Sequence, residues 1–229
     1  EYIVKTIVTT ETIKTIAERN GVEMYDVYTG FKWIANVMRE NEGKKNYIGG
    51  GEESYGFLCE DFVRDKDAVS ACVILAEIAA WAKDQGLSLY QLLQKIYVEY
   101  GFSKEKGISV VKKGKSGAEE IEAMMKKFRE NPLTEIAGSK VTYFYDYSTL
   151  KGKDYAENET VTLDMPTTSN VLQYFTEDNT KVSIRPSGTE PKIKFYCEVH
   201  SKVKSIDELP EAEKAAEEKI NQIKASLGI

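Results

Sequence analysis

The sequence is poor in histidine, cysteine and proline. Its 229 residues include one histidine, three cysteines and five prolines. With His200 as the sole histidine, Ser-His-Asp or Cys-His catalysis is disfavoured, and proton transfer falls to Lys, Glu, Asp or Tyr. The cysteines, Cys59, Cys72 and Cys197, are odd in number and lack CxxC spacing. They predict buried free thiols in a reducing cytoplasm rather than disulfides or a zinc site.

Membrane spans and polyanion-binding surfaces also find no support in the composition. No apolar run approaches the roughly 18 residues that a transmembrane helix requires. The net charge of −6 argues against a general nucleic-acid surface, although a local phosphate site needs only a few donors. We expect a cytoplasmic protein without membrane or nucleic-acid partners. The chain opens Glu-Tyr-Ile-Val without an initiator Met or signal peptide, so we also expect a piece of a longer protein.

What is present in the first half is an ordered alternation of strand and helix patterns. Apolar and β-branched runs predict strands at 2–8, 22–28 and 47–48. Three- to four-residue apolar spacing predicts helices at 9–20, 31–41, 67–85 and 88–100. The helix at 67–85 is apolar over a broad arc, which predicts burial on more than one side. This order is typical of a three-layer α/β domain with a parallel sheet.

The second half has a different character. A basic linker is predicted at 112–116, and Ser116 with Glu119 forms a capping box for a helix ending before Pro132. Strand patterns follow at about 139–148, 160–165, 169–176, 180–184 and 192–199, and a helix at 209–227 closes the chain. Strands between two helices predict an α+β domain with an antiparallel sheet. We place the boundary near Lys115, giving domains at 1–115 and 116–229.

The heptapeptide Arg-Pro-Ser-Gly-Thr-Glu-Pro at 185–191 has the chemistry of a phosphate-binding loop. Arg185 offers a planar fork of charged donors that fits two phosphate oxygens. Ser187 and Thr189 add hydroxyl donors, and Gly188 lets backbone N–H groups converge on an anion. The two prolines stiffen the loop, and strand patterns flank it on both sides. A plain turn would not need Arg, Ser and Thr around one Gly, so we favour the functional interpretation.

Two further segments carry polar side chains. The stretch Gly-Gly-Gly-Glu-Glu-Ser-Tyr-Gly at 49–56 is either a solvated acidic hairpin or a sugar-binding loop, since carboxylates are strong acceptors for vicinal hydroxyls. In Arg-Asp-Lys-Asp at 64–67, Asp65 or Asp67 can cap the following helix. Lys66 lies at that helix start, where the dipole disfavours a cation. The segment is therefore either a helix cap with solvated charges or a place where Lys66 is kept for proton transfer. The segment Thr-Gly-Phe-Lys at 29–32 is either a simple turn and helix start or a further part of the same binding site.

Four motifs in order, Thr-Gly-Phe-Lys, Gly-Glu-Glu-Ser-Tyr-Gly, Val-Arg-Asp-Lys-Asp and Arg-Pro-Ser-Gly-Thr-Glu-Pro, resemble the C-terminal half of an α-D-phosphohexomutase. That family includes the phosphoglucomutases and phosphomannomutases, and the first two motifs favour the phosphoglucomutase branch. The resemblance covers essentially the whole chain. It implies the third and fourth of four domains around one cleft, with the opening elements of the third domain missing.

The resemblance also implies residue roles. Glu52 and Ser54 match positions that hold the sugar 3- and 4-hydroxyls, and Lys66 matches a proposed general acid/base. The sugar side of the site is expected to comprise Thr29, Gly30, Lys32, Glu52, Glu53, Ser54 and Arg64. The phosphate side is expected to comprise Arg185, Ser187, Gly188, Thr189 and Lys194.

Family enzymes pass a phosphoryl group from a phosphoserine to the sugar and take the other phosphate back from the bisphosphate. The resemblance therefore implies a parent isomerase interconverting glucose 1-phosphate and glucose 6-phosphate, with Mg²⁺ as cofactor and glucose 1,6-bisphosphate as activator and intermediate. No Ser-His-Asn loop and no Asp-x-Asp-x-Asp metal loop occurs in this sequence. We expect the missing N-terminal domains to supply both, and the fragment alone to be inactive. Mannose, glucosamine or pentose phosphate specificity, or a non-catalytic sugar-phosphate binding module, stay open as alternatives.

Overall fold

The structure is a computed structural model that describes residues 1–112, 114–188 and 190–229. The chain divides into two compact units. The first comprises Glu1–Phe102 with Lys202–Leu209, and the second comprises Ser103–Ser201 with Pro210–Ile229.

A four-stranded sheet forms the centre of the first unit. Its elements are β1 (Tyr2–Thr6), α1 (Thr12–Arg19), β2 (Glu23–Val27), α2 (Phe31–Glu40), β3 (Tyr47–Gly51), β4 (Phe57–Cys59), α3 (Ala68–Asp84) and α4 (Leu89–Tyr100), with a 3₁₀ turn at Ile206–Glu208. The strand order is β2-β1-β3-β4. β1 pairs in parallel with β2 and β3, and β4 adds an antiparallel edge. The predicted α/β alternation is confirmed, whereas β4 was missed because it is three residues long inside a polar stretch.

Alternation and helical spacing explain the core of this unit. Tyr2 and Val4, two residues apart on β1, are each 1% exposed because successive strand side chains point to opposite faces. On α2, Phe31, Ile34 and Met38 share one helix face and are buried in the same cluster. α2 contacts β1, β2 and β3, so its apolar face covers the centre of the sheet.

Helix α3 departs from the prediction of burial on more than one side. Val69, Val73, Leu75, Ile78 and Trp81 are all exposed, and Trp81 is 55% exposed. The apolar composition predicts the helix correctly, but a pattern of residues cannot tell which neighbours are there to cover each face. α3 contacts β4 and α4. No helix in the described part of the chain is long and apolar enough to cross a membrane.

The three cysteines are free thiols in different surroundings. Cys197 is buried, Cys59 is half-buried and Cys72 is exposed on α3. The prediction of free thiols is confirmed for all three, and the prediction of burial holds fully for Cys197 alone. Burial raises the pKa of the Cys197 thiol to about 12, which keeps it protonated and unreactive near neutral pH.

The second unit is a mainly antiparallel sheet with two helices. Its elements are β5 (Phe102–Val111), α5 (Gly114–Glu130), β6 (Glu135–Ile136), β7 (Ser139–Asp146), β8 (Lys151–Asp154), β9 (Glu159–Thr162), β10 (Leu172–Thr176), β11 (Lys181–Pro186), β12 (Lys192–Ser201) and α6 (Leu209–Leu227). The strand order is β5-β12-β11-β10-β7-β8-β9, with β6 paired to β7. The ladders from β12 to β9 are antiparallel, as the α+β prediction requires.

The two units divide between Phe102 and Ser103, whereas the sequence placed the boundary near Lys115. The difference comes from β5, which was not predicted as a strand and which joins the sheet of the second unit beside β12. Its pattern is interrupted by charged residues and Gly107, so its pairing is set by the neighbouring strand rather than by its own composition.

The segment at 112–116 is also different from the predicted linker. Helix α5 already begins at Gly114, so Ser116 lies inside its first turn and the predicted capping box with Glu119 is wrong. The helix itself was predicted correctly, and its buried residues Ile121 and Met125 belong to the side that packs in this unit, where α5 contacts β11 and β12. Helix α6 has the predicted bounds.

Candidate functional site

The carboxyl ends of β1 and β3 meet at one edge of the first sheet. β1 lies between β2 and β3, so the connections after β1 and after β2 lead to strands on opposite sides of it. Such a switch point leaves a crevice beyond the strand ends, where α/β domains commonly bind ligands. The predicted sugar loop follows β3 directly, and the Thr29–Gly30 turn leads into α2 at the same sheet.

Glu52 is held by the start of helix α2. The Gly30 backbone N–H donates to Glu52 Oε1 at 2.7 Å, so the carboxylate lies at the positive end of the helix dipole. Gly30 has φ 111°, a conformation that side-chain-bearing residues rarely adopt. The Glu52 backbone N–H donates to the Gly56 carbonyl at 2.8 Å and closes the loop. Two predicted site residues, 22 positions apart, are therefore in direct contact.

Glu53 and Ser54 point in different directions from the same loop. Thr6 Oγ1 donates to Glu53 Oε2 at 3.2 Å, and Ser54 Oγ donates to Glu53 Oε1 at 3.2 Å. Thr6 is fully buried and Ser54 is exposed. Glu53 is thus directed back toward β1, whereas Ser54 stays at the surface.

The three glycines before the loop serve the sheet rather than the loop. Gly49, Gly50 and Gly51 belong to β3, so the loop proper begins at Glu52. A Cβ added at Gly50 would lie 2.5 Å from the Val4 carbonyl oxygen and 2.6 Å from Tyr47 Oη. Glycine here permits close packing between neighbouring strands, and the interpretation of this stretch as wholly loop was wrong.

Lys66 lies beside the same loop. Its Nζ is 3.0 Å from Asp65 Oδ1 and 5.7 Å from the centre of the Phe31 ring. A Cβ added at Gly56 would lie 2.8 Å from Glu52 Oε2 and 3.2 Å from Lys66 Cδ, so the lysine stem and the Glu52 carboxylate approach the same backbone position. The hydrogen bond from the Lys66 side chain is the main cause that lowers the pKa of Asp65.

Asp67 is the residue that caps α3, and it is one of the two candidates, Asp65 and Asp67, that the sequence offered for this cap. Its carboxylate accepts from the backbone N–H groups of Val69 at 3.3 Å and Ser70 at 2.9 Å. The backbone hydrogen bond from Ser70 is the main cause that lowers the pKa of Asp67. Lys66 therefore directly precedes the cap, at the end of the helix where a cation is least favoured.

A cleft of about 720 Å³ next to this loop collects several cations. It is lined by Gly30, Phe31, Lys32, Ala35, Asn36, Arg39, Glu42, Arg64, Asp65 and Lys66. Arg64 Nη2 lies 3.3 Å from Glu42 Oε1. Sequence reasoning had missed Asn36 and Arg39. Asn36 follows Lys32 by one helical turn and Arg39 follows Asn36 by another, so all three lie on one face of α2, and this periodicity was the available signal.

The predicted phosphate loop is a hairpin connection in the second unit. β11 ends at Pro186 and β12 begins at Lys192, so the predicted strand–loop–strand arrangement is confirmed. The Ser187 N–H donates to the Lys192 carbonyl at 2.8 Å, and the Glu190 N–H donates to Ser187 Oγ at 3.3 Å. Thr189 lies outside the described residues. The two hydrogen bonds from the Ser187 and Glu190 N–H groups close the loop within the hairpin itself.

Three cations share one face of this hairpin. Arg185 and Lys194 are direct cross-strand partners. Lys192 lies two residues before Lys194 and therefore on the same face, while Ile193 between them is fully buried on the other. Lys192 forms an ion pair with Glu190, and its hydrogen bond is the main cause that lowers the Glu190 pKa. Lys192 was not predicted, although its alternation with Ile193 was a visible signal.

Gly188 is not required by packing within the chain. A Cβ added there would meet no atom within 4 Å, and its φ is outside the left-handed region. This differs from Gly50, where the fold itself demands glycine.

A second cleft, of about 520 Å³, lies between this loop and helix α5. Pro186, Ser187, Glu190 and Pro191 form the loop side. On the opposite side, Arg129 Nε donates to Asp146 Oδ2 at 2.9 Å and Arg129 Nη2 donates to Asn170 Oδ1 at 2.8 Å. Arg129 is therefore engaged within the unit.

Two known family descriptions match the chain, each over a different segment. The family description "Phosphoglucomutase/phosphomannomutase, alpha/beta/alpha domain III" matches residues 1–100. The description "Phosphoglucomutase/phosphomannomutase, C-terminal domain" matches residues 109–216. These ranges correspond closely to the two compact units.

Curated relatives and solved structures agree with these matches. The chain is 36% identical to a phosphoglucomutase of Staphylococcus haemolyticus (strain JCSC1435) over 198 residues, which are 86% of this chain and 36% of that protein. It is 40% identical to a phosphoglucomutase of Staphylococcus aureus (strain MRSA252) over 194 residues, which are 85% of this chain and 35% of that protein. The chain thus spans about a third of the length of these relatives.

Two solved structures share the fold. The Paramecium phosphoprotein pp63/parafusin in its open form has a TM-score of 0.59 at 18% identity, covering 96% of this chain and 37% of that one. A putative phosphomannomutase from Thermus thermophilus has a TM-score of 0.56 at 18% identity, covering 94% of this chain and 36% of that one.

Proposed function

Because this chain belongs to the phosphoglucomutase/phosphomannomutase family, as its matches to domain III and to the C-terminal domain establish, we propose that it supplies substrate recognition to a phosphohexomutase. The parent enzyme interconverts glucose 1-phosphate and glucose 6-phosphate. It does so through a phosphoserine and a glucose 1,6-bisphosphate intermediate.

The cationic face of the β11–β12 hairpin carries this proposal. Like charges placed directly opposite each other on neighbouring strands are destabilising, yet Arg185 and Lys194 are direct partners and Lys192 lies beside them. A bound phosphate would neutralise this repulsion and accept the planar fork of Arg185. Ser187 and Thr189 add hydroxyl donors, and Gly188 lets the anion approach the backbone.

Sugar recognition is assigned to the loop that follows β3. The Gly30 N–H already donates to Oε1 of Glu52, and the remaining acceptor sites of this carboxylate, on Oε2 above all, are assigned to a sugar hydroxyl. Ser54 presents an exposed hydroxyl two residues further along. Thr29, Lys32 and Arg64 add polar groups around the same edge of the sheet. Because Glu52 is already fixed by the α2 N-terminus, little side-chain entropy is lost when it binds a hydroxyl.

Proton transfer is assigned to Lys66. Its side chain is 53% exposed, so it can reach a ligand, while its stem packs beside Gly56 and its Nζ is oriented by Asp65. The ammonium can donate a proton to a departing sugar oxygen, and the amine can accept one from an attacking hydroxyl. Proton transfer by Lys66 is therefore the catalytic step that we assign to this chain.

The phosphoryl carrier and the metal ion belong to the rest of the parent protein in this proposal. Within residues 1–112, 114–188 and 190–229, no group of three or more His, Cys, Asp or Glu side chains is placed to hold a metal ion. Mg²⁺ and the phosphoserine are expected from polypeptide outside this chain.

Titration of the isotopically labelled chain with three ligands tests the proposal. Inorganic phosphate should shift the NMR signals of Ser187 and Gly188, glucose 6-phosphate should shift those signals and also Glu52 and Ser54, and glucose alone should bind far more weakly. Mannose 6-phosphate compared with glucose 6-phosphate reports sugar preference. Glu52→Gln should weaken only the phosphosugar contacts of the first unit, with Glu18→Gln on α1 as a matched control. The absence of any phosphate-dependent shift at Ser187 and Gly188 would contradict the proposal.

A further inference from the structure

A hydrogen-bonded series connects the buried end of β1 to the exposed sugar loop. Thr6 Oγ1 and Thr9 Oγ1 are 2.9 Å apart, and Thr6 Oγ1 donates to Glu53 Oε2 at 3.2 Å. Ser54 Oγ donates to Glu53 Oε1 at 3.2 Å. A hydroxyl carries one hydrogen, and Thr6 uses its hydrogen on Glu53. Because a carboxylate only accepts, Thr6 and Ser54 donate to the two oxygens of Glu53, and Thr9 is hydrogen-bonded to Thr6 behind them.

We propose that Thr6 and Glu53 are positioning residues that fix the conformation of the sugar loop at 52–56. This inference rests on the proposed function, because it takes the loop to be the part that reads sugar hydroxyls. It gives Glu53 a role different from that of Glu52. Both carboxylate oxygens of Glu53 accept hydroxyls from the chain itself, whereas Glu52 keeps Oε2 for a ligand.

The place of Thr6 in the sheet explains why it suits this role. It is the last residue of β1, its side chain is 0% exposed, and its backbone is paired with Val27 of β2. A hydroxyl buried this deeply needs an acceptor, because an unpaired polar group in the interior is costly. Glu53 supplies that acceptor, and so the loop is tied to a rigid part of the fold.

The backbone of the loop shows a strained residue that needs such support. Tyr55 has φ 66°, in the left-handed region that residues with a side chain rarely adopt, and its side chain is fully exposed. A strained backbone of this kind persists only where surrounding contacts determine it. On one side of Tyr55, Ser54 is bonded to Glu53. On the other, the Gly56 carbonyl accepts from the Glu52 N–H at 2.8 Å.

Hydroxyl recognition requires this precision. Catalytic and binding groups must be held close to their productive geometry by contacts that do not involve the ligand. If the series from β1 is broken, Glu52 and Ser54 stay present but sample other positions. The phosphate loop lies in the other unit and should not respond.

Amide hydrogen exchange of the 229-residue chain tests the inference without any ligand. The Glu52 N–H reports loop closure, and the Ile7 N–H, bonded to the Val27 carbonyl at 2.8 Å, reports the adjacent strand end. Thr6→Val and Glu53→Gln should each raise exchange at Glu52 about fivefold to tenfold, since each weakens or removes one hydrogen bond. Exchange at Ile7 should stay unchanged.

Three further variants separate positioning from general stability. Thr6→Ser keeps the hydroxyl and should retain wild-type exchange at Glu52. The double variant should be no worse than the stronger single variant, because both remove the same connection. Thr15→Val on α1 is the matched control for loss of a threonine hydroxyl and should leave the loop unaffected.

Ligand binding then distinguishes the two proposals. Glucose 6-phosphate should bind Thr6→Val and Glu53→Gln about fivefold to tenfold more weakly, with inorganic phosphate affinity unchanged. If wild-type protein binds no phosphosugar, the proposed function fails, while the exchange result still decides the positioning role. If exchange at Glu52 is unchanged in Glu53→Gln, the inference is overturned. If Thr6→Val exposes Ile7 as well, Glu53→Gln and Thr6→Ser decide the matter.

Discussion

Arg185→Ala should weaken phosphate binding without weakening the fold. Arg185 lies directly opposite Lys194, and Lys192 shares their face, while Ile184 and Ile193 are fully buried on the other face. The arginine therefore contributes charge to the surface rather than volume to the core. Its position is unfavourable in the unbound protein and favourable when an anion is bound.

Arg185→Ala should be unfavourable for phosphate binding and favourable for the stability of the unbound protein. Loss of charge-assisted hydrogen bonds to a phosphate costs about 1.5–3 kcal/mol, which is roughly a 10- to 150-fold rise in Kd. Loss of one like-charge cross-strand contact relieves about 0.2–1 kcal/mol of repulsion. We expect much weaker phosphate binding together with an unfolding free energy that is unchanged or slightly higher.

Calorimetric or NMR titration with inorganic phosphate and urea unfolding measure the two quantities on the same protein. Arg185→Lys keeps the charge but loses the fork, so its Kd should lie between those of the wild type and Arg185→Ala. Lys140→Ala is the matched control, because it removes an exposed cation from β7 of the same unit, away from the loop. Unchanged phosphate affinity combined with a destabilised fold in Arg185→Ala would refute the reasoning and assign Arg185 to structure.

Three other predictions concern packing, pH and activity. Gly50→Ala places a Cβ 2.5 Å from the Val4 carbonyl, and it should destabilise by about 1–3 kcal/mol in urea unfolding. Gly107→Ala, which meets no atom within 4 Å, should be neutral or slightly stabilising, and equal losses in both would contradict this. Burial raises the pKa of Cys197 from 9.0 to about 12 and of Tyr28 from 10.0 to about 12, so above about pH 9 the unfolded chain binds fewer protons than the native one. Stability should be full below about pH 9 and fall toward about pH 12, and a flat profile of unfolding free energy would exclude the effect. The chain alone should show no mutase turnover in a coupled assay, and turnover that tracks the purified protein would overturn the assignment of the phosphoryl carrier to other domains.

Local patterns in the sequence were sufficient for the main helices and strands. Alternation and three- to four-residue spacing depend on neighbouring residues, so β1, α2 and α6 could be predicted from composition and period alone. Short polar strands could not. In β8, Gly152 is the cross-strand partner of Tyr145, and a Cβ there would clash with the Tyr145 ring. This strand exists because of its partner, and its own sequence contains little to indicate it.

The candidate site divides in the same way. The strand–loop–strand form of the segment at 185–191 was predictable because its turn residues and its flanking strands are close neighbours along the chain. The tertiary structure alone decided that Arg185 opposes Lys194, that Glu52 is bonded to Gly30, and that Glu53 turns back to Thr6. Pairing register and strand order bring together residues far apart in the chain, and these depend on the packing of whole elements, which no single segment specifies.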